Sequence, residues 1–338
     1  MKSTAADPFG ERAPARLRAR LRVLGGAFTV ESSSAAALRL AVDAFGGLPR
    51  HRVEHEAHRF RVRLVMTDHR PAWPRRVGPP PPTLTSGGGL LCATIDAGNF
   101  ALVDVERSHA LVALSPAMLR YPYNARYELI ELAMVTLASR GQPLVPLHAA
   151  CIGVGGTGLL LMGGTGAGKS TLALHALASG LHVLAEDSAF VALAPLRVTG
   201  VPNYLHVLPS GLEFLAAGTL REQILRSPKI CRRSGALKYE VDLRQLPRKT
   251  PAAPLRLAAV VFLSTLGAGD RDALAPLRRS AFLARLRREQ PYAAALPNWC
   301  DFERQIATQP AYELRRAVHP DLAVERLRTL LATIRRRR

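Results

Sequence analysis

Nine consecutive residues, Gly163-Gly164-Thr165-Gly166-Ala167-Gly168-Lys169-Ser170-Thr171, contain the pattern G-x-x-x-x-G-K-[ST]. Glycines let a backbone curl until its N–H groups face a polyphosphate, and a following helix N-terminus adds positive potential. Lys169 would reach the β- and γ-phosphates, and Ser170 would offer its hydroxyl to Mg²⁺. The flanks agree with this reading. Gly158-Leu159-Leu160-Leu161-Met162 has the apolar character of a buried strand entering the loop, and Thr171–Ala178 that of a helix leaving it. The motif points to a nucleoside triphosphate and leaves open what is done with it.

Two acids narrow the chemistry. Gly180 ends the helix, the apolar run Leu181-His182-Val183-Leu184-Ala185 follows, and Glu186-Asp187 closes it, with Asp187 18 residues beyond Lys169. One helix and one returning strand use that length. A βαβ unit then brings the C-terminal ends of both strands to one sheet edge, so Glu186 and Asp187 should lie near the γ-phosphate. A carboxylate there can hold Mg²⁺ or take a proton from an attacking hydroxyl. The later apolar strand, Leu257–Leu263, ends in Ser264-Thr265 and carries no acid, which argues against ABC, AAA and helicase-type motors. Upstream, Ala149–Val154 and Gly158–Met162 flank Gly155-Gly156-Thr157, a hairpin turn that would carry His148 back toward the loop. A lone histidine is more often structural, and at this point His148 is open between the two roles.

On these residues the chain resembles the catalytic domain of the HPr kinase/phosphorylase family, itself similar to ATP-dependent phosphoenolpyruvate carboxykinase. The shared pattern is a histidine, an apolar hairpin, a P-loop, a helix ending in Gly-x-His, and an apolar strand closed by two acids, here His148, Gly163–Ser170, Gly180-Leu181-His182 and Glu186-Asp187. The resemblance implies an α/β P-loop kinase domain using ATP and Mg²⁺. It implies Lys169 on phosphate, Ser170 on Mg²⁺, Glu186 and Asp187 as metal ligand and base, and His148 near the transferred group. It also implies a homo-oligomer. Glu186 stands where the family has Asp, Thr171 where bifunctional members have Glu, and the arginine-bearing phosphorolysis signature is not found, so reverse chemistry is not implied. The likeness is strong over about residues 145–195, and the HPr-kinase-related proteins are the closer match.

Positioning these residues requires a larger frame. The 338 residues, 48% hydrophobic and 21% charged, allow one large domain or two. The reading places a disordered arm at 1–14, a small α+β domain at 15–140 and the kinase domain at 141–335. Within the first domain, Leu21–Val30 has strand character, Ala35–Phe45 is an amphipathic helix, and Arg59–Met66 alternates like a half-exposed strand. Gly78–Pro82 is a loop, Leu90–Ile95, Phe100–Val105 and Ala110–Leu114 form a meander, and Asn124–Arg140 is a helix. In the second, Phe190–Leu193 is a strand, Thr219–Leu225 and Ala275–Glu289 are helical, Pro310–Leu314 is a last strand and Leu322–Arg335 a terminal helix. Lys238, in a chain with five lysines against 41 arginines, is either a contact for the transferred phosphate or a solvated surface lysine. Arg232 and Arg233 could clamp phosphate from the same segment.

The net charge of +20 admits nucleic acid or an acidic partner, or reflects a coding bias toward arginine, which is the reading taken. No aromatic-interleaved basic stripe for base stacking is present, so nucleic acid is set aside as a partner. Arg12, Arg16, Arg18, Arg20 and Arg22 would form one exposed basic face, and Arg335–Arg338 a basic tail. Four scattered cysteines without metal-ligand spacing suit a reducing compartment. No apolar run spans a bilayer and Met1–Asp7 lacks a signal-like segment, so the expected location is the cytoplasm, with no membrane partner. The expected activity is transfer of the γ-phosphoryl of ATP to a hydroxyl, on a serine of a protein or peptide. Two alternatives stay open: a small-molecule kinase or carboxykinase-like enzyme, and a nucleotide-dependent regulatory or nucleic-acid-binding module.

Overall fold

The computed structural model describes residues 17–53, 57–74, 78–193, 195–246, 251, 253–267 and 273–336. The arm expected at 1–14, Arg12, Arg16, and the last arginines, Arg337 and Arg338, lie outside them. Among the described residues the protein is a mixed α/β molecule with three sheets. Its chain divides into two compact units, Met1–Gly46 with Ala57–Gly141, and Gly47–Glu56 with Gln142–Arg338. The short segment from Gly47 therefore belongs with the later residues, whereas the sequence placed it among the earlier ones. Its anchor is His51, whose Nδ1 lies 2.8 Å from Thr199 Oγ1 and whose Nε2 lies 2.8 Å from the Pro251 carbonyl.

The first unit is a seven-stranded sheet in the order β1-β2-β3-β7-β6-β5-β4. Its strands are β1 (Leu17–Val23), β2 (Gly26–Ser32), β3 (Arg59–Met66), β4 (Thr83–Gly87), β5 (Leu90–Asp96), β6 (Asn99–Asp104) and β7 (His109–Leu114). The stretch Leu21–Val30, expected as one strand, is a hairpin. Leu24 and Gly25 both take left-handed φ, 50° and 94°, and turn the chain between Val23 and Gly26. Leucine is a poor signal for that turn, which is why the sequence hides it. The meander β5-β6-β7 is antiparallel, and β3 joins it parallel to β7.

Helix α1 (Ala35–Phe45) is capped by Ser34, whose Oγ accepts from Ala37 N. The expected helix Asn124–Arg140 is composite: α2 (Pro122–Asn124), a π-helical stretch Ala125–Glu131, then α3 (Leu132–Gly141). On β3, Phe60, Val62 and Leu64 are buried while Arg59, Arg61 and Arg63 are exposed. The register continues this outward row across β2 to β1, opposing Arg61 to Thr29 and Thr29 to Arg20. Arg18, Arg20 and Arg22 are likewise exposed.

The second unit is built on a nine-stranded sheet. Its main path runs β11-β9-β10-β17-β13-β12-β8, from β8 (Val145–Leu147), β9 (Ala149–Val154), β10 (Thr157–Met162), β11 (His182–Ala185), β12 (Ala189–Ala192), β13 (Arg197–Gly200) and β17 (Leu255–Gly267). β18 (Leu274–Pro276) pairs with β19 (Ala311–Arg316), which runs parallel to β17. A separate three-stranded sheet contains β14 (Tyr204–Val207), β15 (Lys229–Cys231) and β16 (Leu237–Asp242). The helices are α4 (Lys169–Ala178), α5 (Thr219–Arg226), α6 (Arg279–Glu289), α7 (Pro291–Ala294), α8 (Trp299–Ile306) and α9 (Pro320–Arg336). The start expected for α6 at Ala275 is instead strand, since Leu274–Pro276 finds ladder partners on β19.

Strand alternation splits the core in two. Leu159 and Leu161 of β10 pack with α4 and α9, through Leu172, Leu174, Leu327 and Leu331. Leu160 and Met162 face the other way, with Phe282 and Leu286 of α6 and Trp299 and Phe302 of α8. β10 is thus buried on both faces, as its unbroken apolar run requires. β11 does not sit beside β10. β9 lies between them and pairs antiparallel with each, so β10 and β11 point the same way and end at the same edge. No described helix is long and apolar enough to cross a membrane.

Candidate active site

The nine-residue loop begins where β10 stops. Gly166 and Gly168 hold φ of 81° and 100°, a region that side chains disfavour, and a Cβ on either would meet nothing. Conformation, not crowding, is therefore the reason for glycine at both. Gly164, Thr165 and Gly166 are exposed, Ala167 and Gly168 are half-buried, and α4 starts at Lys169. Thr171 lies in the first turn of that helix. The loop is an open curve of backbone ending on a helix N-terminus, which is what an anion requires.

Two chains of polar contacts start from adjacent residues of this helix. In the first, Lys169 Nζ is 2.6 Å from the Gly163 carbonyl and 3.0 Å from His148 Nε2. An ammonium only donates, so Nε2 accepts. His148 Nδ1 lies 3.2 Å from Asp187 Oδ1, an ion-pair contact. In the second, Ser170 Oγ donates to Glu186 Oε1 at 2.6 Å. Glu186 Oε2 accepts from His206 N at 3.0 Å and lies 3.2 Å from His206 Nδ1. His206 Nε2 lies 3.3 Å from Glu240 Oε1.

The neighbouring acids therefore differ in setting. The Glu186 side chain is 9% exposed and that of Asp187 is 47% exposed, as is that of His148. Burial pushes Glu186 upward, but the His206 ring, the Ser170 hydroxyl and the His206 N–H outweigh it and hold the carboxyl below its usual range. Burial would lower His206, yet hydrogen bonds to Glu186 and Glu240 leave it raised. Burial lowers Lys169, against the opposing pull of Asp187, Glu289 and Glu186, and the Lys238 charge lowers it further.

The geometry thus brings together His148, Lys169, Ser170, Glu186 and Asp187. Lys238 lies on β16, its charge bearing on Lys169. The Arg232 charge bears on His206, and Arg233 lies in the turn that follows β15. Cys151 is a fully buried strand residue whose thiol burial pushes up.

Sequence reasoning missed three members. His206 and Glu240 are a directly opposed pair on the short strands β14 and β16. Gln290, 3% exposed, grips the His148 backbone: its Oε1 accepts from His148 N at 2.8 Å and its Nε2 donates to His148 O at 3.1 Å. It acts as a one-residue strand partner where the chain passes from β8 to β9. It lies 142 residues from His148 and carries no local signal.

No protein-family model matches the chain. The chain is similar to curated HPr kinase/phosphorylases. It is 31% identical over 143 residues to the one from Bordetella petrii and 32% identical over 144 residues to the one from Bordetella avium, in each case 42% of this chain and 44% of the relative. The Aromatoleum aromaticum protein is 32% identical over 113 residues, 33% of this chain and 36% of its own. The chain thus spans less than half the length of the curated relatives it matches. The relation is distant.

Among the described residues no three His, Cys, Asp or Glu side chains are grouped so as to hold a metal by themselves. The oxygens of Ser170, Glu186 and Asp187 are hard donors around an anion-binding loop. That set fits Mg²⁺, which keeps waters and takes ligands from substrate phosphates rather than from an all-protein cage.

Proposed function

We propose that the protein is an ATP-dependent kinase that transfers the γ-phosphoryl group to a hydroxyl, on a serine of a protein or peptide. The observation that carries this reading is the division of labour between adjacent acids. Glu186 is buried and engaged through both oxygens, one of them by the Ser170 hydroxyl. Asp187 is half-exposed and touches His148, itself bonded to Lys169. One carboxylate is committed to the metal side of the loop and the other is open to an incoming hydroxyl.

In this mechanism the loop N–H groups and Lys169 hold the β- and γ-phosphates, and Ser170 with Glu186 would hold Mg²⁺ there. Mg²⁺, when bound, neutralises phosphate charge. Asp187 aligns the acceptor hydroxyl and takes its proton. The hydroxyl oxygen bonds to the γ-phosphorus as the bond to the β–γ bridging oxygen breaks, and ADP leaves with that electron pair. His148 faces Asp187 at 3.2 Å and is placed to offset the charge of its carboxylate. Lys169, with Lys238 nearby, offsets charge on the transferred group. The relatives' name adds support for a protein acceptor, as HPr is theirs.

The test is transfer from γ-labelled ATP and Mg²⁺ into a lysate of the source cell, by wild type and by Asp187→Asn. An Asp187-dependent labelled protein or peptide is the expected result. Label only in a soluble metabolite replaces the protein acceptor with a small molecule. ATP binding without any transfer points to a nucleotide-dependent switch instead.

A further inference from the structure

Glu186 has the least freedom of any acid near the loop, and the cause is a single residue. His206 uses its backbone N–H and its ring Nδ1 on the same oxygen, Glu186 Oε2, at 3.0 and 3.2 Å. The far side of the ring faces Glu240 Oε1 at 3.3 Å. Glu240, His206 and Glu186 thus stand in one contiguous line of polar contacts, with His206 only 9% exposed. Buried polar groups are tolerated when partnered on each side, as here.

The strands explain why the line is rigid. Leu205 and Val207 of β14 and Tyr239 and Val241 of β16 are buried in the core with α4. By strand alternation His206 and Glu240 share the other face as a directly opposed pair. The buried neighbours on each strand therefore fix the backbone from which both side chains project. Glu186 Oε1 is held toward the loop, where it accepts the Ser170 hydroxyl at 2.6 Å. That bond fixes where the Ser170 hydrogen points, and therefore turns its lone pairs away from Glu186.

We propose that His206, backed by Glu240, is the positioning residue of the Mg²⁺ side of this site, acting through Glu186 on Ser170. The inference rests on the nucleotide-binding reading of the loop. Removing such a supporting group commonly weakens metal affinity by about 10- to 100-fold. His206 touches neither nucleotide nor acceptor, so it sets the metal's contribution and not the loop's own grip.

The experiment measures binding of a fluorescent ATP analogue to the full chain, in EDTA and in Mg²⁺, for wild type, His206→Ala, His206→Asn and Glu240→Gln. Wild type should bind more tightly with Mg²⁺. His206→Ala should lose about 10- to 100-fold of that gain while its affinity in EDTA stays unchanged. His206→Asn keeps a donor near the Nδ1 position and should recover most of the gain. Glu240→Gln should fall between. An undiminished gain in His206→Ala overturns the proposal, and so does an equal loss in EDTA and Mg²⁺, which is the mark of a merely structural residue. If His206→Ala does not fold, the Asn and Gln variants decide by the same comparison. Wild type that binds no nucleotide in either buffer removes the kinase reading itself, a different result from a variant that keeps its gain.

Discussion

Lys169 Nζ stands 3.0 Å from His148 Nε2, so the ammonium at the start of α4 and the ring just before β9 are joined directly. Without phosphate, the ammonium is satisfied by that ring and by the carbonyls of Gly163 and Gly164. A polyphosphate has to compete for it. Lys169→Ala should therefore weaken ATP binding by about 10- to 100-fold, the usual worth of a hydrogen bond to a charged group. Equilibrium binding of the fluorescent analogue checks this; unchanged affinity removes the loop from the nucleotide site.

Asp187→Asn keeps the shape and removes the proton acceptor. Transfer should fall by roughly 10²- to 10⁴-fold, the range for losing a general base. Nucleotide affinity should stay near wild type. Single-turnover transfer beside equilibrium binding separates the two effects.

Gln290→Ala strips both partners from the His148 backbone. The cost should be about 1–3 kcal/mol in stability, that of leaving buried polar groups unmatched. Transfer should fall further than nucleotide binding, since His148 faces Asp187. Urea melts and paired kinetics test both statements.

His51 gives a pH signature distant from the chemistry. Burial lowers its affinity for a proton, while the Pro251 carbonyl works the other way. The unfolded chain takes up that proton near about pH 6.5 and the folded chain only at lower pH. The stability this group contributes is thus fully present above the unfolded value and is lost as pH falls below it. His51→Gln should therefore lose less stability than wild type between pH 7.5 and 5.5. Thermal melts at both values suffice.

Phe60 fills a slot between two glycines. A Cβ on Gly26 or on Gly141 would come within 2.6 Å of its ring. Gly141→Ala should destabilise the first unit by about 1–3 kcal/mol through overpacking. Urea unfolding monitored by circular dichroism measures it.

How much could be read beforehand depends on the range of the signal. Gly163–Thr171 and Glu186-Asp187 are local patterns set by one loop and one returning strand, so both the fold around them and their approach to His148 were legible. β3 was legible because its alternation repeats the pleat. The β1–β2 hairpin was not, because Leu24 adopts a left-handed turn that leucine seldom signals. His206 and Glu240 were hidden for another reason. Each sits on a short strand whose role comes from pairing across 34 residues, and neither neighbourhood has a motif. Gln290 could be found only in three dimensions. The insertion of β9 between β10 and β11 was equally invisible, since alternation fixes faces and not strand order.

The arginines of β1 and β3 have a consequence for behaviour in concentrated solution. The exposed face of an open sheet invites a second copy to stack on it. Here Arg18, Arg20, Arg22, Arg59, Arg61 and Arg63 stand on that face, with Glu31 paired to Arg18 in their midst. Two such faces repel each other, and guanidinium groups are costly to strip of water, so aggregation by sheet stacking is opposed from within the strands themselves. The protection is electrostatic and weakens as salt screens it. Colloidal stability should thus decline with ionic strength even where the fold itself does not.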